Sequence, residues 1–329
     1  MIKKTKFLIT IGAPEWRLPM FINLSKSGYD IFVITDNKNQ IHKDIINLNL
    51  VKNFIGYFPD KNLFKKYEKG VCIFDYRLFF WLLKTKIIKK TYLWGIGQGK
   101  NKFINEVRRQ IAKKSLGVIT YMPSGQQFKD KNAGYIINSI FNSPKYLWEN
   151  SDRLLFVGSL KKRKRLDLLL TSLKFAKRKG YKFKLEIIGD GPEKSKLMEL
   201  SRQLDIQDNV NFYGHLSKEE DKVKIIKGCF LSVSIGQAGL SILESMSFGL
   251  PFLTAKNAIS GGEIENITDN FNGYLIEDYQ KLELITSKLI EIKNNNSLEQ
   301  ISKNAFNYYI NYANGNLMVD RFKKIVDLH

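Results

Sequence analysis

Five consecutive cations, Lys161–Arg165, follow a short apolar run that ends at Gly158. Ammonium and guanidinium groups can hold the oxygens of a phosphate, and arginine can do so with two parallel hydrogen bonds. Ligands of open α/β sheets bind beyond the carboxyl ends of the strands, and a loop directly after a strand lies there. The position therefore favours phosphate binding over the alternatives, a solvated charge run or a nucleic-acid patch.

A second pattern, Gly-Gln-Ala-Gly at 236–239, lies between an apolar run and a predicted helix that starts near Leu240. Glycines let a ligand approach the backbone, and free N–H groups at a helix N-terminus attract phosphate. Glu244 lies more than one turn into that helix, where its carboxylate can accept two hydrogen bonds from a ribose diol. The alternative is an exposed Glu244 and glycines that only make turns.

The elements that must position these residues alternate along the chain. Short apolar strands and helices of 10–15 residues succeed one another in both halves, which predicts α/β domains with doubly wound parallel sheets. The polar segment Asn138–Asp152 has a proline and no clear period, so it is expected to link the two domains. The predicted fold is therefore two Rossmann-like domains that face a cleft, residues 1–150 and 151–310.

Composition narrows the function classes. The 329 residues include only two cysteines and three histidines, which excludes a disulfide scaffold and a multi-cysteine or histidine-rich metal centre. The formal net charge of +21 fits an anionic partner, although surface lysines of a Lys-rich composition explain it equally well. Neither a secretion signal nor a spanning segment is visible, so the protein is expected to be cytoplasmic, or peripheral on the inner membrane face.

The C-terminal half resembles a retaining GT-B glycosyltransferase of family 4, in its variant from bacterial surface-polysaccharide synthesis. Five segments match in family order over about 120 residues of the chain. They are LLFVGSLKKRKRLDLLL from Leu154, LEIIGDGP from Leu185, VNFYGHLS from Val210, the segment Gly236–Pro251, and GGEIENITDNFNGYL from Gly261. The resemblance also implies that a helix at 311–329 packs back on the N-terminal domain.

The resemblance implies roles for individual residues. Lys164 matches a lysine that contacts the donor diphosphate, whereas Ser159 replaces the arginine that does the same, which leaves Arg163 and Arg165 to compensate. Of two family glutamates, Glu244 matches the second, and Gly236 stands where the first would lie near the donor sugar. The expected donor-binding residues are Gly158, Ser159, Gly189, Gly214, Gly236, Gln237, Ala238, Gly239, Leu240 and Glu244, with Lys164, Arg163 and Arg165 as catalytic cations.

The N-terminal half resembles the same family more loosely. Arg17 matches a recurrent basic position in the opening βαβ unit, and Tyr92–Lys100 resembles a segment that often reads Trp-Gly-His-Gly. Ile96 occupies the histidine position, so no imidazole acid or base is carried over. Residues expected near the acceptor or the cleft are Gly12, Arg17, Trp94 and Gly97.

The function implied is transfer of a sugar from a UDP- or GDP-linked donor to a lipid-linked glycan, with retention and without a metal or other cofactor. The stretch Lys84–Lys114 carries ten cations against Glu106, with Phe103, Ile104, Val107 and Ile111 interleaved, and so fits an anionic membrane. Alternatively, those apolar residues face the core. Nucleic acid is not an expected partner.

Three rival functions remain open. A nucleic-acid-binding protein would use the +21 charge but predicts basic–aromatic stripes, and only Lys161–Arg165 is present. A nicotinamide-dependent enzyme needs G-x-G-x-x-G after the first strand, which Ile11–Trp16 does not supply. The third rival is a catalytically impaired relative that only binds a partner, suggested by Gly236 and Ser159.

Overall fold

The computed structural model of the protein describes residues 5–35, 41–50, 56–95, 102–122, 128, 131–140 and 143–328. The chain forms two compact units. Unit 1 comprises Met1–Phe141 and Gly315–His329, and unit 2 comprises Asn142–Asn314. The boundaries thus lie at 141/142 and 314/315, whereas the sequence places them at 150/151 and 310/311.

Unit 1 is built on a parallel sheet that has seven strands among the described residues. Its strand order is β3-β2-β1-β4-β5-β6-β7, and every pair is parallel. The strands are β1 (Lys6–Ile11), β2 (Tyr29–Ile34), β3 (Ile45–Leu48), β4 (Lys69–Ile73), β5 (Thr91–Trp94), β6 (Gly117–Thr120) and β7 (Asn132–Tyr135). The order reverses at β1, as in doubly wound dinucleotide-binding folds.

Helices α1 (Leu18–Lys26), α2 (Phe79–Thr85) and α3 (Lys102–Lys113) connect strands of unit 1. The core beneath them is rich in aromatic side chains, and the rings of Phe7 and Phe64 meet edge to face at 4.8 Å. The sequence analysis does not predict β3. This edge strand is short, and only its first residue is buried, so its pattern resembles that of a loop.

Unit 2 contains a second parallel sheet, with strand order β10-β9-β8-β11-β12-β13. The strands are β8 (Arg153–Val157), β9 (Lys184–Ile188), β10 (Val210–Gly214), β11 (Leu231–Val233), β12 (Phe252–Ala255) and β13 (Gly273–Ile276). The helices are α4 (Leu166–Arg178), α5 (Lys194–Gln203), α6 (Glu219–Ile226), α7 (Ser241–Met246), α8 (Leu282–Lys293) and α9 (Leu298–Tyr308). The predicted α/β class with two parallel sheets is confirmed.

Helix α4 shows why the alternation could be predicted in unit 2. Its buried positions include Leu166, Leu169, Leu170, Leu173 and Ala176, which recur at helical spacing and enter the main core cluster. Gly180, at a φ of +90°, follows the helix where a left-handed residue commonly ends one.

The segment predicted as a linker packs against unit 2 from residue 143 onward. The N–H groups of Lys145 and Leu147 donate to the carbonyls of Ser247 and Phe248, at 3.1 and 3.0 Å. Its first residues, 138–140, are buried in unit 1. The segment is therefore anchored by backbone hydrogen bonds, while most of its residues from 143 onward remain exposed to solvent.

The last helix, α10 (Gly315–Leu328), belongs to unit 1. Its apolar face includes Met318, Val319 and Phe322, and the Phe322 ring lies 5.6 Å from the ring of Trp94 and 6.2 Å from that of Tyr29. Helix α10 therefore covers the sheet of unit 1 beside α1. Among the described residues, no helix is both long and apolar enough to cross a bilayer.

Candidate functional site

The carboxyl ends of β8, β9 and β10 are joined by closely packed glycines. The Gly158 N–H donates to the Ile188 carbonyl at 3.0 Å, and the Gly189 N–H donates to the Gly214 carbonyl at 2.7 Å. A Cβ on Gly189 would lie 1.9 Å from the Gly158 carbonyl oxygen, at a φ of +147°. Glycine at these predicted donor positions therefore lets neighbouring loops approach each other at the sheet edge.

Lys164 is the buried cation of the basic run, with 9% of its surface exposed. Its Nζ lies 3.2 Å from the Gln237 carbonyl oxygen, to which it donates. Burial, together with the nearby charge of Arg163, lowers the pKa of Lys164 to about 8, and the charge of Glu263 partly opposes that change. An anion at this position would restore the favourable environment that the ammonium group lost on burial.

The other predicted catalytic cations differ in placement from Lys164. Arg163 is exposed. Arg165 has a left-handed backbone, with a φ of +54°, and its guanidinium binds Asp167 through two contacts of 3.0 and 2.9 Å. Arg165 is thus engaged by Asp167, whereas Arg163 is exposed to solvent.

The turn at 236–239 is brought directly beside the basic run. The Gly236 N–H donates to the Lys164 carbonyl at 3.3 Å, and the Gly236 carbonyl accepts from the Ile259 N–H at 3.0 Å. A Cβ on Gly236 would lie 2.5 Å from Cγ of Arg165 and 2.6 Å from the Arg163 carbonyl oxygen. No side chain fits at Gly236 unless these residues move, whereas nothing lies within 4 Å of a Cβ on Gly239.

Two buried polar atoms of this turn lack a hydrogen-bond partner within the part of the chain that the structure describes. They are Oε1 of Gln237 and Oγ of Ser241, the first residue of α7. Leaving a buried polar group unpaired typically costs about 1–3 kcal/mol, so such groups are rare in native structures. A polar ligand bound at the turn would supply partners for both.

Glu244 projects from α7 and is largely buried, with 16% of its side chain exposed. Its Oε1 accepts from Nζ of Lys222 at 2.9 Å. The alternative interpretation, an exposed helix residue, is therefore wrong. The sequence analysis did not identify Lys222, because the pairing joins α6 to α7 across 22 residues and no local pattern marks it.

Glu263 is a further carboxylate that the sequence analysis did not single out. It is buried, and its Oε2 accepts from Oγ of Ser260 at 3.1 Å and from the Gly261 N–H at 2.8 Å. The segment that carries Glu263 lies beside the turn at 236–239, because Ile259 pairs with Gln237 in a parallel bridge. Its charge acts on Lys164, as described above, so a carboxylate lies near the buried ammonium group.

In unit 1 the predicted residues Gly12, Arg17 and Trp94 lie at the carboxyl ends of strands. Gly12 follows β1 at a φ of +71° with open space beside it, and Trp94 is the fully buried last residue of β5. Arg17 is buried above the Trp94 ring, at 4.6 Å from guanidinium carbon to ring centre. Gly97, like Ile96, lies outside the described residues.

Comparison with known proteins identifies the family. The family model described as "Glycosyl transferases group 1" matches residues 139–308, which is just over half of the chain. The chain belongs to the group 1 glycosyl transferases. It is therefore a glycosyltransferase, and that prediction is confirmed. The match covers the part of the chain that carries Lys164 and Glu244.

Two relatives place this glycosyltransferase among known sequences. It is 28% identical to an uncharacterized glycosyltransferase of Haemophilus influenzae, over 88% of this chain and 90% of that protein. It is also 28% identical to the poly(ribitol-phosphate) alpha-N-acetylglucosaminyltransferase of Staphylococcus aureus. That match covers 52% of this chain but only 34% of the S. aureus protein, so this chain matches about a third of that relative.

Solved structures support the GT-B fold. A glycosyltransferase from Rickettsia africae superposes with a TM-score of 0.75, at 15% identity over 99% of this chain and 98% of that one. The Anabaena protein HepE in complex with UDP superposes with a TM-score of 0.73, at 15% identity over 98% and 99% of the two chains. At this identity the likeness shows the fold alone.

Within the described residues, no group of three or more histidine, cysteine, aspartate or glutamate side chains is arranged to hold a metal ion. The two cysteines, Cys72 and Cys229, are both buried and free, and burial raises the pKa of each thiol. Thiol chemistry at neutral pH is therefore disfavoured at both positions.

Proposed function

We propose that this glycosyltransferase transfers a sugar from a UDP- or GDP-linked donor, held by unit 2, to a lipid-linked glycan of a bacterial surface polysaccharide. The observation that carries the proposal is Lys164, a buried ammonium group beside the glycine turn at 236–239. A nucleoside diphosphate carries the negative charge that would pair with this ammonium group. Its polar atoms would also be hydrogen-bond partners for the buried oxygens of Gln237 and Ser241.

The diphosphate is the part of the donor that Lys164 recognises. Negative charge grows on it as the sugar departs, and a cation fixed in a dry environment stabilises that charge without rearranging. Arg163, exposed next to Lys164, supplies a second cation. Arg165 stays bound to Asp167.

Glu244 binds the ribose of the nucleotide in this proposal. Its carboxylate already accepts a hydrogen bond from Lys222 and is largely buried, which holds it in one orientation. A diol that donates two hydrogen bonds to it forms charge-assisted bonds, which are stronger than neutral ones.

Glu263 supplies the carboxylate near the donor sugar that Gly236 cannot. Its Oε2 is held by Ser260 and Gly261, so its orientation is set before a donor binds. Its Oε1 remains to accept from sugar hydroxyls. We propose retention of configuration, as the family resemblance implies, with this carboxylate orienting the sugar.

Unit 1 binds the acceptor, and α3 carries the surface that meets an anionic membrane. Phe103 is 76% exposed, Ile104 42% and Val107 37%, whereas Ile111 faces the core. Exposed apolar side chains beside cations on one helix are typical of helices that lie in a membrane interface. Two relatives of this chain, from Salmonella typhimurium and Escherichia coli, are lipopolysaccharide 1,6-galactosyltransferases, which agrees with a glycan acceptor.

Co-sedimentation with vesicles tests the membrane part. Binding is expected to require anionic lipid, to fall at high salt, and to weaken when the four exposed α3-region cations Lys102, Arg109, Lys113 and Lys114 become glutamine. The matched control replaces four exposed lysines of unit 2 by glutamine: Lys179, Lys182, Lys184 and Lys196. An equal loss of vesicle binding in both variants would show that binding depends only on net charge and not on α3.

The activity itself is tested by incubating the protein with a panel of UDP- and GDP-sugars and measuring release of the nucleoside diphosphate, with and without membrane lipid extract. One donor should be consumed, and consumption should rise with the extract. Chelation of metal ions should leave the rate unchanged. Tight nucleotide binding with no turnover of any donor would instead support the rival, a binding protein derived from the family.

A further inference from the structure

Arg17 is a buried arginine whose hydrogen-bond partners are all neutral. It is 7% exposed, and among the described residues its guanidinium donates to the Tyr121 hydroxyl at 3.1 Å and to Oδ1 of Asn138 at 2.9 Å. Neither partner carries a negative charge. The five N–H groups of a guanidinium are therefore only partly used, and its charge has no counter-ion in these contacts.

Aromatic rings surround the same guanidinium. Its carbon lies 4.4 Å from the ring centre of Trp16, 4.6 Å from that of Trp94 and 5.6 Å from that of Tyr121. Ring faces attract a cation, and they hold the guanidinium plane in place. They do not neutralise it, and an arginine cannot escape by losing its proton.

A second buried donor lies beside Arg17. The indole Nε1 of Trp94 is buried without a hydrogen-bond partner in the described part of the chain. An unpaired N–H and an uncompensated charge at one place are each uncommon in a native interior. An anion with several oxygens would satisfy both.

The position suits a ligand. Arg17 lies just before α1, at the carboxyl edge of the sheet, where strand order reverses around β1. Crevices at that point of an open α/β sheet are where ligands bind. For Gly12, in the same loop, no heavy atom of the described residues lies within 4 Å of where a Cβ would lie, which leaves space beside the loop in that part of the structure.

We propose that Arg17 is the centre of an oxyanion site in unit 1, which binds a phosphate or carboxylate group of the acceptor. The assignment to the acceptor rests on the proposed function; the anion site itself does not. The guanidinium fork matches two oxygens of either group, which an ammonium cannot reproduce. The acceptor is therefore anionic, whichever sugar is transferred to it.

Tryptophan fluorescence gives a direct test, because Trp16 and Trp94 both contact the guanidinium. The probes are glycerol 3-phosphate and glucuronate, titrated beside neutral glycerol and glucose. One of the two anions should change the fluorescence saturably, and the neutral probes should not. Arg17→Met should weaken that binding by roughly tenfold or more, and Arg17→Lys by less.

Thermal unfolding separates this role from a purely structural one. Arg17→Met removes a buried charge that has no counter-ion in the described part of the chain, so its melting temperature should equal or exceed that of the wild type. The control is Arg77→Met: Arg77 binds Asp75 with two contacts of 2.9 and 2.8 Å, so its loss should lower the melting temperature and leave anion binding unchanged.

Saturation by neither anion, or an Arg17→Met protein that melts lower and binds anions as before, would overturn the proposal and leave Arg17 as a structural brace. Parallel titration with UDP keeps this result separate from the fate of the proposed function, since nucleotide binding belongs to unit 2. Preference for glycerol 3-phosphate indicates a phosphate-bearing acceptor, and preference for glucuronate indicates an acidic sugar.

Discussion

Unit 2 and unit 1 each bury a cation at the carboxyl edge of a parallel sheet, but they treat its charge differently. In unit 2, Lys164 has a carboxylate nearby and a pKa lowered to about 8. In unit 1, the contacts of Arg17 among the described residues are with neutral hydrogen-bond partners and aromatic faces. The lysine can lose its proton when no ligand is bound, whereas the arginine keeps its charge at every accessible pH.

If the two proposed sites exist, the difference predicts two modes of anion recognition. Lys164 is a conditional cation, mostly charged below about pH 8, and a bound diphosphate would favour its charged state. Arg17 is a permanent one, and since its contacts among the described residues include no counter-ion, an anion would stabilise it. Binding by unit 2 should therefore depend on pH in the neutral to alkaline range, and binding by unit 1 should not.

The largest effect is expected from Lys164→Met. Loss of the buried ammonium should lower turnover about 100- to 1000-fold, as for removal of one group that stabilises a developing anion. Lys162→Met is the control, because Lys162 belongs to the same run but is exposed. Both variants are compared by their turnover at saturating nucleotide-sugar. Equal rates would show that Lys164 has no catalytic role.

The same variant should be more stable than the wild type. Because the folded-state pKa of Lys164 lies below that of an unfolded lysine, its burial destabilises the fold fully below about pH 8, and the penalty fades as pH rises towards the ordinary lysine value. Lys164→Met should therefore raise the melting temperature at pH 7 and raise it less at pH 10. A lower melting temperature at pH 7 would contradict this.

The glycine turn offers a matched pair of substitutions. Gly236→Ala forces a carbon to 2.5 Å from Arg165, whereas Gly239→Ala meets no atom within 4 Å. Overpacking of this kind typically costs about 1–3 kcal/mol, so Gly236→Ala should lower the unfolding free energy and displace Lys164 with it. Denaturant unfolding and UDP titration should separate the two variants; indistinguishable behaviour would show that the turn is loosely packed.

These packing constraints mark the limit of what the sequence could predict. Helix α4 and the strands around it follow from periodicity alone, because buried positions recur at regular spacing. The sequence around Gly236 resembles a family variant, but the physical reason for glycine there is its close contact with Arg163 and Arg165, which only the folded turn brings near. Lys222 pairs with Glu244 across 22 residues, and Glu263 acts on Lys164 from a distant part of the chain, so no local pattern marks either residue.

In unit 1 the contacts of Arg17 join residues that are still farther apart in the sequence. The two hydrogen-bond partners of Arg17 lie 104 and 121 residues away in sequence, so its lack of a counter-ion cannot be inferred from neighbouring residues. The short edge strand β3 was also hard to predict, because it has a single buried residue and therefore shows no alternation of apolar and polar positions. The sequence of the basic stretch Lys84–Lys114 leaves open whether its apolar residues face the core or the surface. In the structure, Phe103 is exposed whereas Ile111 is buried.

A smaller effect is expected at Glu244. Glu244→Ala should weaken UDP or GDP affinity by about tenfold, because a charge-assisted hydrogen bond contributes roughly 1.5–3 kcal/mol and Lys222 is left unpaired. A nucleotide that lacks the 2′-hydroxyl should bind the wild type less tightly than the ribonucleotide and bind Glu244→Ala equally. If the variant still discriminates between the two sugars, another group reads the ribose.

Calorimetric titration of UDP and GDP at pH 7 and pH 9 tests most directly whether unit 2 binds a diphosphate through Lys164. With a pKa of about 8, Lys164 is mostly charged at pH 7 and mostly neutral at pH 9. Wild-type affinity for the preferred nucleotide should therefore fall about tenfold between these values, and Lys164→Arg should remove that pH dependence. Equal wild-type affinity at both pH values, or no binding of either nucleotide, would contradict the account.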